Sequence, residues 1–256
     1  MLRGQGMNKV TRRSFVAGIG AASMVPAASA LSEEQAPAAP RSSHTPLGSR
    51  DAAPVVYLFF NASEAAFIEA ACERLIPADE HGAGARAAGV PNYLDKQLGG
   101  AWGAGERLYR SGPWMAGTAS QGYQLPFTPG ELFHQALRAI NHDLDSRGTP
   151  FSKMTAEAQD AYLKSLEGGN ADLNGVPSGV FFAMFLEMTI EGFFSDPVYG
   201  GNRDMVAWRM IGFPGAYADY YESIDRHGVK FEREPMSLGE DGERHIHPDP
   251  NIPAHL

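Results

Sequence analysis

From Ser63 onward, apolar residues recur three and four positions apart between prolines and glycines, a pattern that predicts a series of short helices. Ser63 suits an N-cap, and Phe67, Ile68, Ala71, Cys72, Leu75 and Ile76 follow on one helical face until Pro77 stops the run. Val90 to Leu98 predicts a short second helix. Thr128-Pro129-Gly130-Glu131 is a capping box with proline at the first helical position. Behind it, Leu132, Phe133, Ala136, Leu137, Ile140 and Leu144 form a stripe that Gly148 closes. Thr155 opens a helix carrying Ala158, Tyr162 and Leu166, which ends at Gly168-Gly169. Ser178 opens another with Phe181, Phe182, Phe185, Leu186, Met188 and Phe193, whose apolar arc is too wide for one solvated face. That helix belongs at the centre of the fold or at an interface. Pro197, Gly200 and Gly201 mark a turn before a helical stretch through Trp208, and a last helical piece runs from about Ala216 to Ile224.

The remaining segments lack this periodicity. Val55 to Phe60 is a short apolar run that suits a strand or an extended arm. Gly99 to Pro126 is dense in Gly, Trp and Tyr and predicts no more than a turn of helix. Residues 31–54, rich in Ala, Pro, Ser and Glu, read as a flexible lead-in. Residues 229–256 form an extended polar tail with Pro235, Pro248, Pro250 and Pro253, too poor in apolar residues to fold alone; it is disordered or drapes over a partner. There is no internal repeat. The expected fold is mainly α, a single small helical domain over residues 55–228 with long irregular loops and extended N- and C-terminal segments.

The first 30 residues have a different character. Arg12-Arg13 is followed by Phe15, a modest apolar run to Ala28, and the small residues Ala28-Ser29-Ala30. A charged start, a short apolar middle and a small-residue exit mark a cleavable export signal, and the arginine pair marks its twin-arginine branch. The expected location is the periplasm. The formal net charge is -9, and these 30 residues hold four basic side chains and no acid, so the remainder carries -13. That surface is repelled by phosphate backbones and anionic lipid heads, which disfavours nucleic acid and direct membrane binding. No run approaches the ~20 apolar residues of a membrane-spanning helix.

Candidate chemistry is sparse. Gly82-Ala83-Gly84-Ala85-Arg86-Ala87 matches a relaxed dinucleotide pattern but lacks the preceding strand that its phosphate chemistry requires. One cysteine excludes covalent c-type haem and an all-thiolate cluster. Cys72 itself reads as a small buried hydrophobe, with a bridge to another chain the alternative. His245, His247 and Asp249 lie in a proline-rich tail without a scaffold for a metal, and His81 lies in a polar loop. Glu187 and Glu191 are four apart, a spacing a solvated helix edge tolerates, although Arg203 or Arg209 could reach them. These readings leave no catalytic, cofactor or metal site. Twin-arginine export carries folded proteins, often those with an inserted cofactor. A chain without one suggests a signal carried for a partner.

Two segments point further. Residues 72–79 read Cys-Glu-Arg-Leu-Ile-Pro-Ala-Asp, and 84–95 read Gly-Ala-Arg-Ala-Ala-Gly-Val-Pro-Asn-Tyr-Leu-Asp. Residues 191–202 read Glu-Gly-Phe-Phe-Ser-Asp-Pro-Val-Tyr-Gly-Gly-Asn, and 208–215 read Trp-Arg-Met-Ile-Gly-Phe-Pro-Gly. With the leader, they resemble the gluconate 2-dehydrogenase subunit 3 family over roughly Ser63 to Ala216. The resemblance implies a non-catalytic small subunit of a membrane-associated sugar or sugar-acid dehydrogenase. Its implied partners are an FAD-bearing large subunit of the glucose–methanol–choline class, a multihaem c-type cytochrome and the twin-arginine translocase. Membrane association would come only through the partners. Phe193, Phe194, Tyr199, Trp208 and Phe213 surround a rigid turn and suit either the core or a docking face, with Cys72 a further interface candidate. The alternatives are an independent periplasmic enzyme with an unrecognised site, or a sugar-binding module using the aromatic-rich region from Trp102 to Phe127.

Overall fold

The computed structural model describes residues 55–115, 117–118, 121, 124–217, 225–228 and 233–239. The leader, the lead-in, most of the helix expected at 216–224 and the histidine-bearing end of the tail lie outside the described residues.

Among the described residues, six α-helices carry the fold: α1 (Ala62–Leu75), α2 (Val90–Leu98), α3 (Pro129–Ser146), α4 (Ala156–Glu167), α5 (Ser178–Phe194) and α6 (Val206–Ile211). The N-cap of α1 is Asn61, two residues earlier than expected. Its side chain accepts the Ser63 and Glu64 N–H groups at 3.0 Å, and Glu64 reaches back to the Asn61 N–H at 3.0 Å. This reciprocal pair satisfies helix-end donors that would otherwise be orphaned, so it outcompetes a cap at Ser63. The box at Thr128 and Glu131 forms as the sequence predicts. All six stripe residues of α3 are buried. On α4 the buried face is Tyr162, Leu163 and Leu166, while Ala158 points to solvent.

Helix α5 is central: it packs against each of the other five α-helices. Phe181, Phe185 and Met188 face inward, and Phe133 of α3 meets Phe181 edge-on at 5.2 Å. Each fully buried Phe or Met contributes roughly 1.5–3 kcal/mol. Glu187 and Glu191 occupy the solvated edge. The sequence reading contained no strand here, yet Asp172–Leu173 (β1) and Val176–Pro177 (β2) pair antiparallel. Asn174 and Gly175, both at positive φ, make the two-residue hairpin turn.

Two segments flank the helices. Val55–Phe60 is an irregular arm rather than a strand, bending at residues 58–60 where Asp95 of α2 holds it. The Asp95 carboxylate accepts the N–H groups of Leu58, Phe59 and Phe60 at 2.9, 2.9 and 3.0 Å. At the other end, Arg233–Gly239 belongs to residues expected to form a detached tail from 229. It packs on its own domain instead: Met236 and Ser237 are buried, and Met236 bridges to Gly215 in parallel.

Candidate docking surface

The first motif segment is a clasp at the end of α1. The Glu73 carboxylate accepts the Ala78 N–H at 3.1 Å and the Arg86 N–H at 3.0 Å, fixing both ends of the intervening loop. Arg74 forks onto Asp160 of α4 through bonds of 2.5 and 2.6 Å. The Arg74 side-chain bond holds the Asp160 carboxyl below its usual range. Cys72 is fully buried, its Sγ 3.8 Å from Thr189 Oγ1, and burial pushes the thiol up to about 12. It faces the chain's own core, so it is not part of a partner surface.

The Gly82–Ala87 stretch lies in this clasp, paired Asp79 to Gly82 as a tight turn, with no strand leading into it. A groove of about 500 Å³ beside it is lined by Glu69, Glu73, Arg74, Arg86 and Gln159, among others. Its charged groups are engaged internally: Glu69 by Tyr57 at 2.9 Å and by Arg86 at 3.0 Å, Glu73 and Arg74 as above. These bonds explain the charges as fastenings of the fold.

The second motif segment is a knot joining α5, α6 and the N-terminus of α2. Asn202 is fully buried; its amide donates to the Ser195 carbonyl and its oxygen accepts the Ala207 N–H, both at 2.9 Å. Trp208 Nε1–H donates to the Phe194 carbonyl at 2.8 Å. The Arg203 N–H donates to the Ala88 carbonyl, and the Asn92 side chain to the Gly200 carbonyl, both at 2.9 Å. A Cβ on Gly201 would lie 2.0 Å from the Gly192 carbonyl oxygen, so only glycine permits this approach. Asp196 is nearly buried and accepts three hydrogen bonds: Val198 N–H at 3.0 Å, Ser237 Oγ–H at 2.6 Å and Leu238 N–H at 2.8 Å.

The five aromatic candidates divide. Phe193 and Trp208 are core, and Phe194 is half-buried. Tyr199 and Phe213 are about half exposed, at 51% and 44%. Val198, Ile211 and Leu238 are exposed on the same three segments that meet at the knot, and Gly239 approaches the Val198 side chain. These exposed apolar residues stand on hydrogen-bonded turns, which suits them to protein contact. Sequence reasoning missed Val198, Ile211 and Leu238, which carry no signal by type. It also missed Asp95, Asp196 and Asn202, the buried polar residues that position the segments around them.

Glu191 accepts from Tyr93 Oη–H at 3.3 Å, and partial burial raises its carboxyl. Arg209 goes to the Asp204 carbonyl and to Glu234, not to the Glu187–Glu191 pair. His81 is a surface residue 3.5 Å from Glu80. Trp102 and Tyr109 are exposed, whereas Leu125 and Phe127 pack against the core. Among the described residues, no group of three His, Cys, Asp or Glu is placed to hold a metal ion, and no helix is long and apolar enough to cross a membrane.

Fold and surface thus define a small helical module whose motifs fasten its own loops and whose exposed apolar residues sit on those fastenings. The chain belongs to the gluconate 2-dehydrogenase subunit 3 family, whose model matches residues 62–215. Searches of curated proteins and of solved structures found no match.

Proposed function

We propose that this chain is the non-catalytic small subunit of a periplasmic, FAD-dependent sugar or sugar-acid dehydrogenase, supplying the twin-arginine signal and stabilising the flavoprotein large subunit. The observation that carries the proposal is family membership over residues 62–215. The exposed side chains of Val198, Tyr199, Ile211, Phe213 and Leu238, carried on hydrogen-bonded turns, support a docking role. FAD belongs to the large subunit, which performs the oxidation, and haem c to a cytochrome that takes the electrons. This chain's one thiol is buried against Thr189, and covalent haem does not fit it. The inner membrane would be reached through the cytochrome.

The test is co-expression with the large subunit, comparing native Arg12-Arg13 with the Arg12→Lys, Arg13→Lys variant. Dye-linked sugar dehydrogenase activity and bound flavin are measured in periplasm and cytoplasm. The expected result is active flavoprotein stranded in the cytoplasm. Flavoprotein that reaches the periplasm regardless would refute the escort role. Tyr199→Ala is expected to reduce co-purification of the two chains with little change in the melting temperature of this one, whereas Phe213 also packs on Trp208; undiminished co-purification would place the contact elsewhere.

A further inference from the structure

Residues Pro235–Leu238 lie on the fold as a bound peptide lies on its receptor. The Met236 N–H donates to the Pro214 carbonyl at 3.0 Å, and its carbonyl accepts the Ala216 N–H at 2.9 Å. One residue on, Ser237 donates its hydroxyl to Asp196 Oδ1, and the Leu238 N–H goes to Oδ2. Met236 and Ser237 are both buried, at 5% and 3% exposure, and the chain turns at Leu238, whose side chain is open at 59%. A Cβ on Gly215 would stand 2.2 Å from the Met236 carbonyl oxygen and 2.8 Å from the Trp208 ring. The missing side chain is what leaves room for the segment. Asp196, Trp208 and Gly215 all fall inside the family match, whereas the segment they hold lies beyond it, past an exposed turn at residues 225–228.

We propose that the Asp196 turn, Trp208 and the Pro214–Ala216 backbone form a peptide-accepting groove, with Pro235–Leu238 its ligand held in cis. The chemistry recognised is a short segment bearing an unbranched apolar side chain, then a hydroxyl, then a free backbone N–H at the turn that follows. Both carboxylate oxygens of Asp196 read the segment: one takes the hydroxyl and the other the amide, charge-assisted bonds stronger than neutral ones. Tethering supplies the ligand at an effective concentration of order millimolar, so modest intrinsic affinity keeps the groove filled. The site is independent of the export role and stands or falls separately from it.

The test uses the full-length chain with Met236→Ala and Ser237→Ala, which weaken the ligand and leave the groove intact. Hydrogen–deuterium exchange at the Ala216 amide reports occupancy. Exchange is expected to rise by about ten-fold or more. A synthetic peptide of residues 233–239, at millimolar concentration, is expected to restore protection; the same peptide with the Ser237→Ala change is expected to fail. Adding Asp196→Asn to the protein is expected to abolish the rescue. Unchanged exchange in the double variant, or no rescue by the native peptide, overturns the proposal. Ser237→Ala alone provides the same comparison should the double variant aggregate.

Discussion

Asp95 offers the most direct test of how the domain holds its edges. Its carboxylate is 4% exposed and is the shared acceptor for three consecutive N–H groups of the arm. Taken singly, hydrogen bonds to a charged group contribute about 1.5–3 kcal/mol each. Their sum overstates the loss, because the arm can swing into water and rehydrate its amides. The loss is therefore bounded by what the docked arm gains. Burial of Phe60 contributes roughly 2–3 kcal/mol, and the Phe59 ring stacked 4.1 Å from His134 adds about 0.5–1.5 kcal/mol, both offset by ordering the backbone. Asp95→Ala should then cost about 2–3 kcal/mol. Asp95→Asn should cost about 1–2 kcal/mol, since one amide oxygen still serves Phe59 and Phe60 while the NH2 opposes the Leu58 N–H. For a domain of this size, 1 kcal/mol corresponds to roughly 2–4 °C in melting temperature. Urea titration read by pulse proteolysis gives the stabilities, and hydrogen exchange at residues 58–60 reports the arm. If Asp95→Ala matches the native chain within about 0.5 kcal/mol and those amides stay protected, the reasoning fails.

Three further outcomes follow from the geometry. Cys72, buried with its thiol pushed up to about 12, should resist alkylation at pH 8 in the native chain and react on denaturation; rapid native labelling would place it at the surface. Gly201→Ala forces a Cβ into the Gly192 carbonyl and should cost about 2–3 kcal/mol, read by the same urea titration; a neutral result would show that the knot is looser than described. The Asp160 carboxyl is lowered by Arg74, so the pair stabilises the fold above the unfolded carboxylate value of about 3.9 and loses that contribution as pH falls through the lower folded value. Because Asp160 is 43% exposed, the effect should stay under ~1 kcal/mol, and the gap between native chain and Asp160→Asn should close in acid; a gap independent of pH would exclude this linkage.

What the sequence revealed and what it hid follow a physical division. The start of α3 was legible because Thr128, Pro129 and Glu131 act within one turn, and α2 because its apolar positions are local. The α1 cap was legible too, as Asn61 with Glu64 three residues later, but Ser63 beside it offered a competing local signal. The hairpin escaped because strands of two residues have no periodicity; Asn174-Gly175 was its only mark. The Met236 segment escaped because its acceptor, Asp196, lies some forty residues earlier and the tail is polar on average. Asp95 could have been found: it shares the inner face of α2 with Val90, Pro91, Leu94 and Leu98, and a carboxylate on such a face needs a partner.

These hidden residues share one job, which explains why the family motifs sit as fastenings of the fold. Among the described residues one hairpin of two-residue strands gives little sheet in which loop amides can pair, yet buried loop amides must pair with something. Here side chains accept them: Glu73 takes the loop after α1, Asp95 the arm, Asp196 the turn after α5 and the C-terminal segment, and Asn202 the start of α6. Each acceptor must be acidic or an amide and must stand at a fixed place, so these positions carry the most recognisable motifs. The side chains left to meet a partner, those of Tyr199, Phe213 and Leu238 among them, are carried on that network through their backbone amides. Tyr199 and Phe213 lie inside the same motif segments that the network fastens, so frame and surface are built from the same stretches of chain.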